Sequence, residues 1–356
     1  MNEAPVLRGD PRSRGLAFAA LGKPQETAVR ARAEEAREFA RSRDAEGWLT
    51  TQWQAQRALL PEMATFIEAT AEGHGMPAET LFAAHLRYAI EDRAAIVGEH
   101  DGCSAFAMAR PDGGVLLAKN RDNPPPLRQV ASLVRQADPA WGGRQILSVG
   151  SFGHSPTCSS GINTDGLCLA DTAVRTADLG IGALRYYLME ALLIRCADVA
   201  QAVALIRALP HLGGGTLVLA DASGALAAVE LGHRVTHIER GARPGWVART
   251  NHFLHPDTAA PLRERPGSVP RTNSEGRLDV LRSALRADFS AEDCAALLSR
   301  HADGDRPALC RHDPATWTNS CAVFDVAARR LRLSHGQPCE GAWRQAHLDS
   351  PPPKGP

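Results

Sequence analysis

Two apolar runs, Ser104–Ala109 and Val115–Lys119, flank the turn residues Pro111-Asp112-Gly113-Gly114. Two such runs joined by Asp-Gly chemistry form an antiparallel hairpin, because glycine supplies the positive φ that a tight turn needs. The first strand starts directly after Asp101-Gly102-Cys103, and the second ends in Asn120-Arg121-Asp122. Antiparallel pairing sets the start of one strand beside the end of the other. The Cys103 thiol and the Asp122 carboxylate are therefore expected at the same edge of one sheet, which ties the fold to a definite chemistry.

The residues before this hairpin read as helical. An Ala/Glu/Arg-rich run extends from Gln25 to about Leu60, followed by Met63–Gly73 and by Pro77 to about Ile96. After Cys103 the pattern changes to short strands separated by Gly, Asp and Pro. Strands are expected at Gln145–Val149, Leu167–Ala170, Thr216–Ala220, Ala225–Leu231, Gly245–Arg249, Cys321–Asp325 and Arg330–Ser334. Helical runs at Ala183–Arg195, Asp198–Leu209, Ser274–Arg286 and Ala291–His301 fall between them. Helices packed on antiparallel sheets, an α+β layered domain, follow from that order. Pro124-Pro125-Pro126 reads as a stiff connector, and the Pro-rich end of the chain as a disordered tail over 346–356.

The 356 residues suffice for a large core. Forty basic and forty acidic side chains balance to zero, so no basic field favours nucleic acid. No apolar stretch reaches the length of a membrane span, and the polar segment Met1–Arg14 does not read as a secretory signal. A cytoplasmic protein is the expectation. The eight cysteines show no CxxC pair or regular spacing, so neither a metal site nor a disulfide framework is expected, and most read as small buried hydrophobes.

Cys103 is the exception. Thiolate is the nucleophilic form, and a free thiol is mostly protonated at neutral pH. An α-amino group titrates at about 7.7–8.0, so a cysteine that begins a chain carries its own base. That state requires prior cleavage of the Gly102–Cys103 bond, which the thiol can bring about by attacking the unhindered Gly102 carbonyl. The alternative reading of the local residues is a turn before a strand that contains a cysteine.

A resemblance bears on that choice. Asp101–Ala107, the hairpin and Asn120-Arg121-Asp122 resemble the nucleophile region of the penicillin acyltransferase family (acyl-coenzyme A:6-aminopenicillanic acid acyltransferase-like), N-terminal-nucleophile hydrolases. Gly161–Leu167 resembles the family's Gly-x-Asn-x-x-Gly-Leu element, and Leu219–Gly224 through Glu230 its Asp-x-x-Gly…Glu hairpin. Thr250–Phe253 resembles its Asn-His-Phe element, and Cys321–Asp325 its closing strand. Together they span roughly residues 80 to 340.

The resemblance implies an αββα four-layer sandwich with an extra N-terminal helical region. It implies a precursor cut between Gly102 and Cys103 into a helical leader, 1–102, and a catalytic domain, 103–345, that stay together as a heterodimer. Cys103 would be the nucleophile, Asp122 the carboxylate that orients its freed amine, and Asn251 the oxyanion donor. Asn163 is a second oxyanion candidate or ordinary turn chemistry, Arg121 contacts substrate or braces Asp122, and His252 is expected to be structural. The implied partner is a small-molecule linear amide, with acyl-coenzyme A as an alternative acyl donor; no metal or organic cofactor is implied.

The family's best-known member carries an arginine before the closing strand suited to a substrate carboxylate. Here Arg311 lies several positions away, in Cys310–Thr318, so a penicillin-type substrate is not implied. Choloylglycine-type hydrolases share the chemistry but follow a short leader, unlike this long helical one. Two further readings stand beside the leading one: a binding protein that keeps the fold without processing, and an uncleaved thiol enzyme using His154, His233, His252 or His255.

Overall fold

The computed structural model describes residues 4–96, 102–124, 131–153, 156–264 and 267–349. Asp101, Pro125, Pro126, His154 and the tail from Ser350 lie outside them. Strand β1 (Val6–Arg8) is followed by helices α1 (Pro11–Leu21), α2 (Glu26–Ser42), α3 (Glu46–Leu59), α4 (Pro61–Gly73), α5 (Ala78–His85) and α6 (Arg87–Arg93). Then come β2 (Ser104–Ala109), β3 (Val115–Asn123), β4 (Ala131–Ala137), β5 (Gln145–Ser151), β6 (Ser160–Asn163) and β7 (Cys168–Ala173). Helices α7 (Arg185–Arg195) and α8 (Val199–Ala208) precede β8 (Gly215–Ala220), β9 (Leu226–Leu231), β10 (Thr236–Arg240) and β11 (Gly245–Arg249). The chain closes with α9 (Pro256–Ala259), α10 (Val269–Ala284), α11 (Ala291–Leu298), β12 (Trp317–Asp325), β13 (Arg330–Ser334) and β14 (Trp343–His347).

Eight strands form one sheet in the order β1-β4-β5-β6-β7-β8-β9-β10, and six form the other in the order β11-β2-β3-β12-β13-β14. Side-chain alternation along the strands builds three apolar layers. Ala105, Ala107, Val115 and Leu117 face a core shared with Val149, Ile162, Ala170 and Val218 of the larger sheet. Phe106, Met108, Leu116 and Ala118, the residues between them, pack on α10 and α11 through Leu278, Leu281, Cys294 and Leu298. The outer face of the larger sheet is covered by α1–α8 through Phe18, Phe66, Phe82, Tyr187 and Leu192. The result is the expected αββα sandwich.

The N-terminal region departs from a purely helical leader. β1 joins the larger sheet, pairing parallel with β4. The leader helices form much of one outer layer rather than a separate unit. Arg14 of α1 is fully buried, donating to Gln136 Oε1 of β4 at 2.9 Å and to Glu62 Oε1 at 2.7 Å. Gln56 of α3 donates to the Gly182 carbonyl at 2.8 Å and accepts from Leu184 N at 2.9 Å. The C-terminal expectation is corrected too: β14 runs to His347, and Leu348 is buried, its N–H on the Arg329 carbonyl. Residues 346–349 are therefore ordered chain.

Candidate active site

The hairpin register places the chemistry. Ser104 pairs with Asn120 and Ala105 with Lys119. Because successive side chains on a strand point to opposite faces, Lys119 and Arg121 face the inter-sheet space, and Asn120 and Asp122 the helix side. Lys119 Nζ accordingly meets Asp171 of the larger sheet and Ser159 just before β6, and Arg121 donates to the Gly150 carbonyl at 2.5 Å. Asn120 donates to the carbonyls of Leu298 and Leu309, 2.8 Å each. Arg121 therefore does not brace Asp122. Adjacent strand positions cannot share a face.

Cys103 is half-buried at the head of β2, its thiol directed to the Asp122 carbonyl oxygen at 3.7 Å. Burial raises its pKa, Lys119 opposes that, and the carboxylates of Asp122 and Asp171 reinforce it. The thiol is thus protonated at neutral pH. Asp122 is buried beside it. Thr318 Oγ1 donates to Asp122 Oδ1 at 2.7 Å, while Oδ2 has no hydrogen-bond partner among the described residues. That oxygen lies against Gly102: a Cβ there would stand 2.7 Å from it and 3.1 Å from Arg311 Cδ. Burial pushes the Asp122 carboxyl up to about 6, against the pull of Thr318, Arg277, Arg311 and Lys119.

Asn251 is brought to the same edge, just beyond β11, which pairs with β2. Its side-chain amide donates to the Ala173 carbonyl at 2.9 Å, and its Oδ1 accepts from Arg277 Nη2 at 2.8 Å. Arg277, buried in α10, also donates to the Cys103 carbonyl at 2.6 Å and to Ser104 Oγ at 3.0 Å. One guanidinium thus ties the Asn251 amide to the backbone of Cys103.

The family model for acyl-coenzyme A:6-aminopenicillanic acid acyl-transferase matches residues 109–340. The chain belongs to that family. It is an enzyme of the amide-cleaving and acyl-transferring class acting on linear C–N bonds. The match begins six residues after Cys103, within the hairpin that presents the thiol. No curated protein sequence matches the chain. Among solved structures it is similar to a mutant of the conjugated bile acid hydrolase of Clostridium perfringens, at 10% identity and a TM-score of 0.43, covering 65% of this chain and 89% of that one. It is also similar to the Caenorhabditis elegans ortholog of N-acylethanolamine-hydrolyzing acid amidase, at 11% and 0.45, over 63% and 93%. Penicillin V acylase of Agrobacterium tumefaciens follows at 13% and 0.41, over 65% and 83%.

The remaining family elements bind backbone groups of neighbouring turns and loops. Asn163 does not join Cys103. Its two N–H bonds go to the Leu193 and Cys196 carbonyls, and its Oδ1 accepts from Leu167 N, so it locks the β6–β7 turn to the end of α7. Glu230 gathers Leu254 N, His255 N and Thr258 Oγ1, shaping the loop that follows Asn251. His252 lies within hydrogen-bond distance of Ser274 Oγ, 2.8 Å, and that hydroxyl accepts from Asn251 N at 2.8 Å. Burial, with Arg271, Arg277, Arg282 and Arg249 around it, holds His252 down at about 3, so the ring is neutral. His233 contacts the His211 carbonyl, and His255 stacks on His237. The Cys103 thiol is directed to a carbonyl, not to an imidazole.

Sequence reasoning missed five contributors. Lys119 and Arg185 flank Asp171 in a buried cluster beneath Cys103. Burial would raise Asp171, but the two cations outweigh it and hold the carboxyl at about 2. Arg277 and Thr318 complete the edge from α10 and β12. A lysine closing the apolar run Val115–Ala118 was a visible signal, since a buried charge demands a partner. Arg277 and Thr318 carried none, because their partners lie 174 and 196 residues away.

Proposed function

We propose that this chain cuts its own Gly102–Cys103 bond and then cleaves a linear amide through a thioester on Cys103. The observation that carries the reading is that one residue, Asp122, meets both sides of that bond: its backbone oxygen faces the Cys103 thiol and its free Oδ2 lies against Gly102. In the first step the Cys103 sulfur attacks the Gly102 carbonyl carbon. The C–N bond breaks, the nitrogen takes the thiol proton, and a thioester remains. Water then releases the Gly102 carboxylate and leaves Cys103 with a free thiol and a free amine.

The unpartnered Oδ2 of Asp122 is the acceptor for that amine, which relieves a buried, unsatisfied oxygen whose cost is about 1–3 kcal/mol. In turnover the amine takes the thiol proton, and the thiolate adds to the substrate carbonyl. The second N–H of Asn251 stabilises the oxyanion, while Arg277 fixes the Asn251 amide. The leaving amine collects the proton from the Cys103 ammonium. Water attacks the thioester, returning the thiol and releasing the acid; an amine acceptor would instead complete an acyl transfer, and acyl-coenzyme A could load the same thioester.

A groove of about 960 Å³ opens at this edge between β12–β13 and β4–β5, lined by Ser132, Val149, Trp317, Ser320, Leu333 and Arg344. Ser320 pairs across from Arg121, so the groove meets the inter-sheet face beside the nucleophile. Its mixed lining, with Val149, Trp317 and Leu333 beside Ser132, Asn319 and Ser320 and a cationic rim at Arg344, suits an acyl chain bearing a polar or anionic end. Residues Pro24–Ala31 of the leader close its other side, so the cut leader remains part of the enzyme as one half of a heterodimer. Among the described residues no helix is long and apolar enough to cross a membrane, and eight free thiols suit a reducing compartment such as the cytoplasm.

Intact-mass spectrometry of the denatured protein tests the reading. Two chains, one ending at Gly102 and one beginning at Cys103, are expected. A single full-length chain that resists conversion would overturn self-cleavage at Gly102–Cys103.

A further inference from the structure

Beyond the nucleophile, at the end of the α10–α11 layer, four side chains converge that no step above uses. His301 follows α11, Cys310 and His312 lie in the irregular connection to β12, and Cys339 sits in a short turn after β13. Their donor atoms all lie within 4.8 Å of one another. Cys310 Sγ is 3.6 Å from Cys339 Sγ and 3.6 Å from His312 Nε2, and His312 Nε2 is 3.2 Å from Cys339 Sγ. The His301 ring stands edge-on to His312 with centroids 4.8 Å apart.

The separations among Cys310, His312 and Cys339 are close to those of ligands around one tetrahedral ion, and His301 stands within reach of the same point. With Zn–S near 2.3 Å and Zn–N near 2.0–2.1 Å, tetrahedral angles put two sulfurs about 3.8 Å apart and a sulfur about 3.5 Å from a nitrogen. A disulfide would need sulfurs about 2.05 Å apart, and Cys310 and Cys339 are free thiols. Two thiolates and two imidazoles form the donor set that zinc prefers. The expectation of no metal site rested on the lack of a CxxC pair, yet the fold assembles the ligands from three separate segments.

We propose that His301, Cys310, His312 and Cys339 bind one structural zinc ion. Binding forms four metal–ligand bonds, releases the two thiol protons to solvent and changes no oxidation state. Four protein ligands fill the tetrahedron and leave no open position for substrate, which marks a structural ion. Its task follows from what the loop carries. The connection from Ser299 to Thr316 is irregular and long enough to need tying down. Arg311, between two ligands, donates its N–H to Thr318 Oγ1 at 2.8 Å and accepts from Thr318 N at 3.1 Å, and Thr318 donates to Asp122. The ion fastens the loop that seats Thr318 on the catalytic carboxylate.

The test uses full-length protein carrying Cys103→Ala, so that the nucleophile cannot act as a competing thiol, purified under reducing conditions. Elemental analysis is expected to find about one zinc per chain. Zinc should fall to near zero in Cys310→Ser and in Cys339→Ser and persist in Cys196→Ser. Should the ligand variants fail to fold, cobalt titration of the chelator-stripped parent provides an independent readout. It should show a stoichiometric thiolate-to-cobalt charge-transfer band and the intense visible bands of a tetrahedral ion. The proposal is overturned by reduced, folded parent protein that holds no zinc and gives no such band, by zinc retained in both cysteine variants, or by a mass lower by two hydrogens that maps to a Cys310–Cys339 disulfide.

Discussion

Gly102 packs directly on the carboxylate of Asp122, so closely that a Cβ at residue 102 would stand 2.7 Å from Oδ2 and 2.9 Å from Asp122 Cβ. Asp122 cannot retreat, because Thr318 holds its other oxygen within a buried strand. The glycine is required here by close approach and not by a left-handed backbone. Gly102→Ala is therefore expected to slow precursor cleavage at least about tenfold, equivalent to about 1.4 kcal/mol on the barrier. A denaturing-gel time course on freshly expressed protein reads this out, and cleavage at the parent rate would refute the constraint.

Replacing Cys103 separates the proposed processing from folding. Cys103→Ala should remain full length and inactive yet fold, since the thiol makes one long contact to the Asp122 carbonyl. Cys103→Ser should process slowly. A Cys103→Ala protein that still yields a chain starting at residue 103 would refute self-cleavage.

The buried Asp122 carboxyl makes precursor stability depend on pH. Its folded value of about 6 lies above the ordinary 3.8, so the folded state holds a proton that the unfolded state has lost between those two values. Stability from this residue is accordingly highest below about pH 4 and falls as pH rises to about 6, by at most about 3 kcal/mol. In a Cys103→Ala background, Asp122→Asn should be at least as stable as its parent at pH 8 and lose that advantage at pH 4. Urea midpoints at both pH values measure the difference. A larger deficit for Asp122→Asn at pH 8 than at pH 4 would contradict it.

Asn251→Ala should process at least in part and lose most turnover. Removing an oxyanion donor costs about 3 kcal/mol, roughly a hundredfold or more in kcat. Because Arg277 also contacts Asn251, circular dichroism and thermal melting must accompany the kinetics. Full activity in a well-folded variant would remove Asn251 from the oxyanion role.

Arg175 ties the leader to the catalytic region. Its guanidinium donates to Asp92 Oδ1 at 2.6 Å, to Glu91 Oε2 at 3.1 Å and to the Ile96 carbonyl at 2.6 Å, and Asp92 also receives Thr176 N. Arg175→Met takes this buried cation from Asp92, while Glu91 keeps Arg87, a loss of about 3–5 kcal/mol. The fragments of processed parent protein should co-elute in gel filtration, and those of the variant should separate at lower urea. Equal urea resistance would assign the docking to the apolar face of the leader alone.

Short-range chemistry was readable in the chain. The Pro111–Gly114 turn, the alternation of Ser104–Ala109 and the strand Gly245–Arg249 appear with the expected bounds, because each is determined by neighbours within a few residues. Strands β1, β4, β6, β10 and β14 escaped notice. β1, β10 and β14 lie at sheet edges and β4 and β6 inside the larger sheet, but all five are short or polar and lack a clear apolar alternation, and they exist because partner strands offer them hydrogen bonds. Strand period also decided Arg121: its position next to Asp122 in sequence suggested a brace, and the pleat sends the two to opposite faces.

By itself the sequence determined which residue types were available for catalysis and that Cys103 and Asp122 would share a sheet edge, since a hairpin's register is local. Only the tertiary structure decided what surrounds them. Arg277 and Thr318 reach that edge across 174 and 196 residues, and His301, Cys310, His312 and Cys339 meet from three segments. Those approaches depend on how two sheets and their helical layers pack. That packing is settled by burial summed over the whole core, and no spacing within a single segment encodes it.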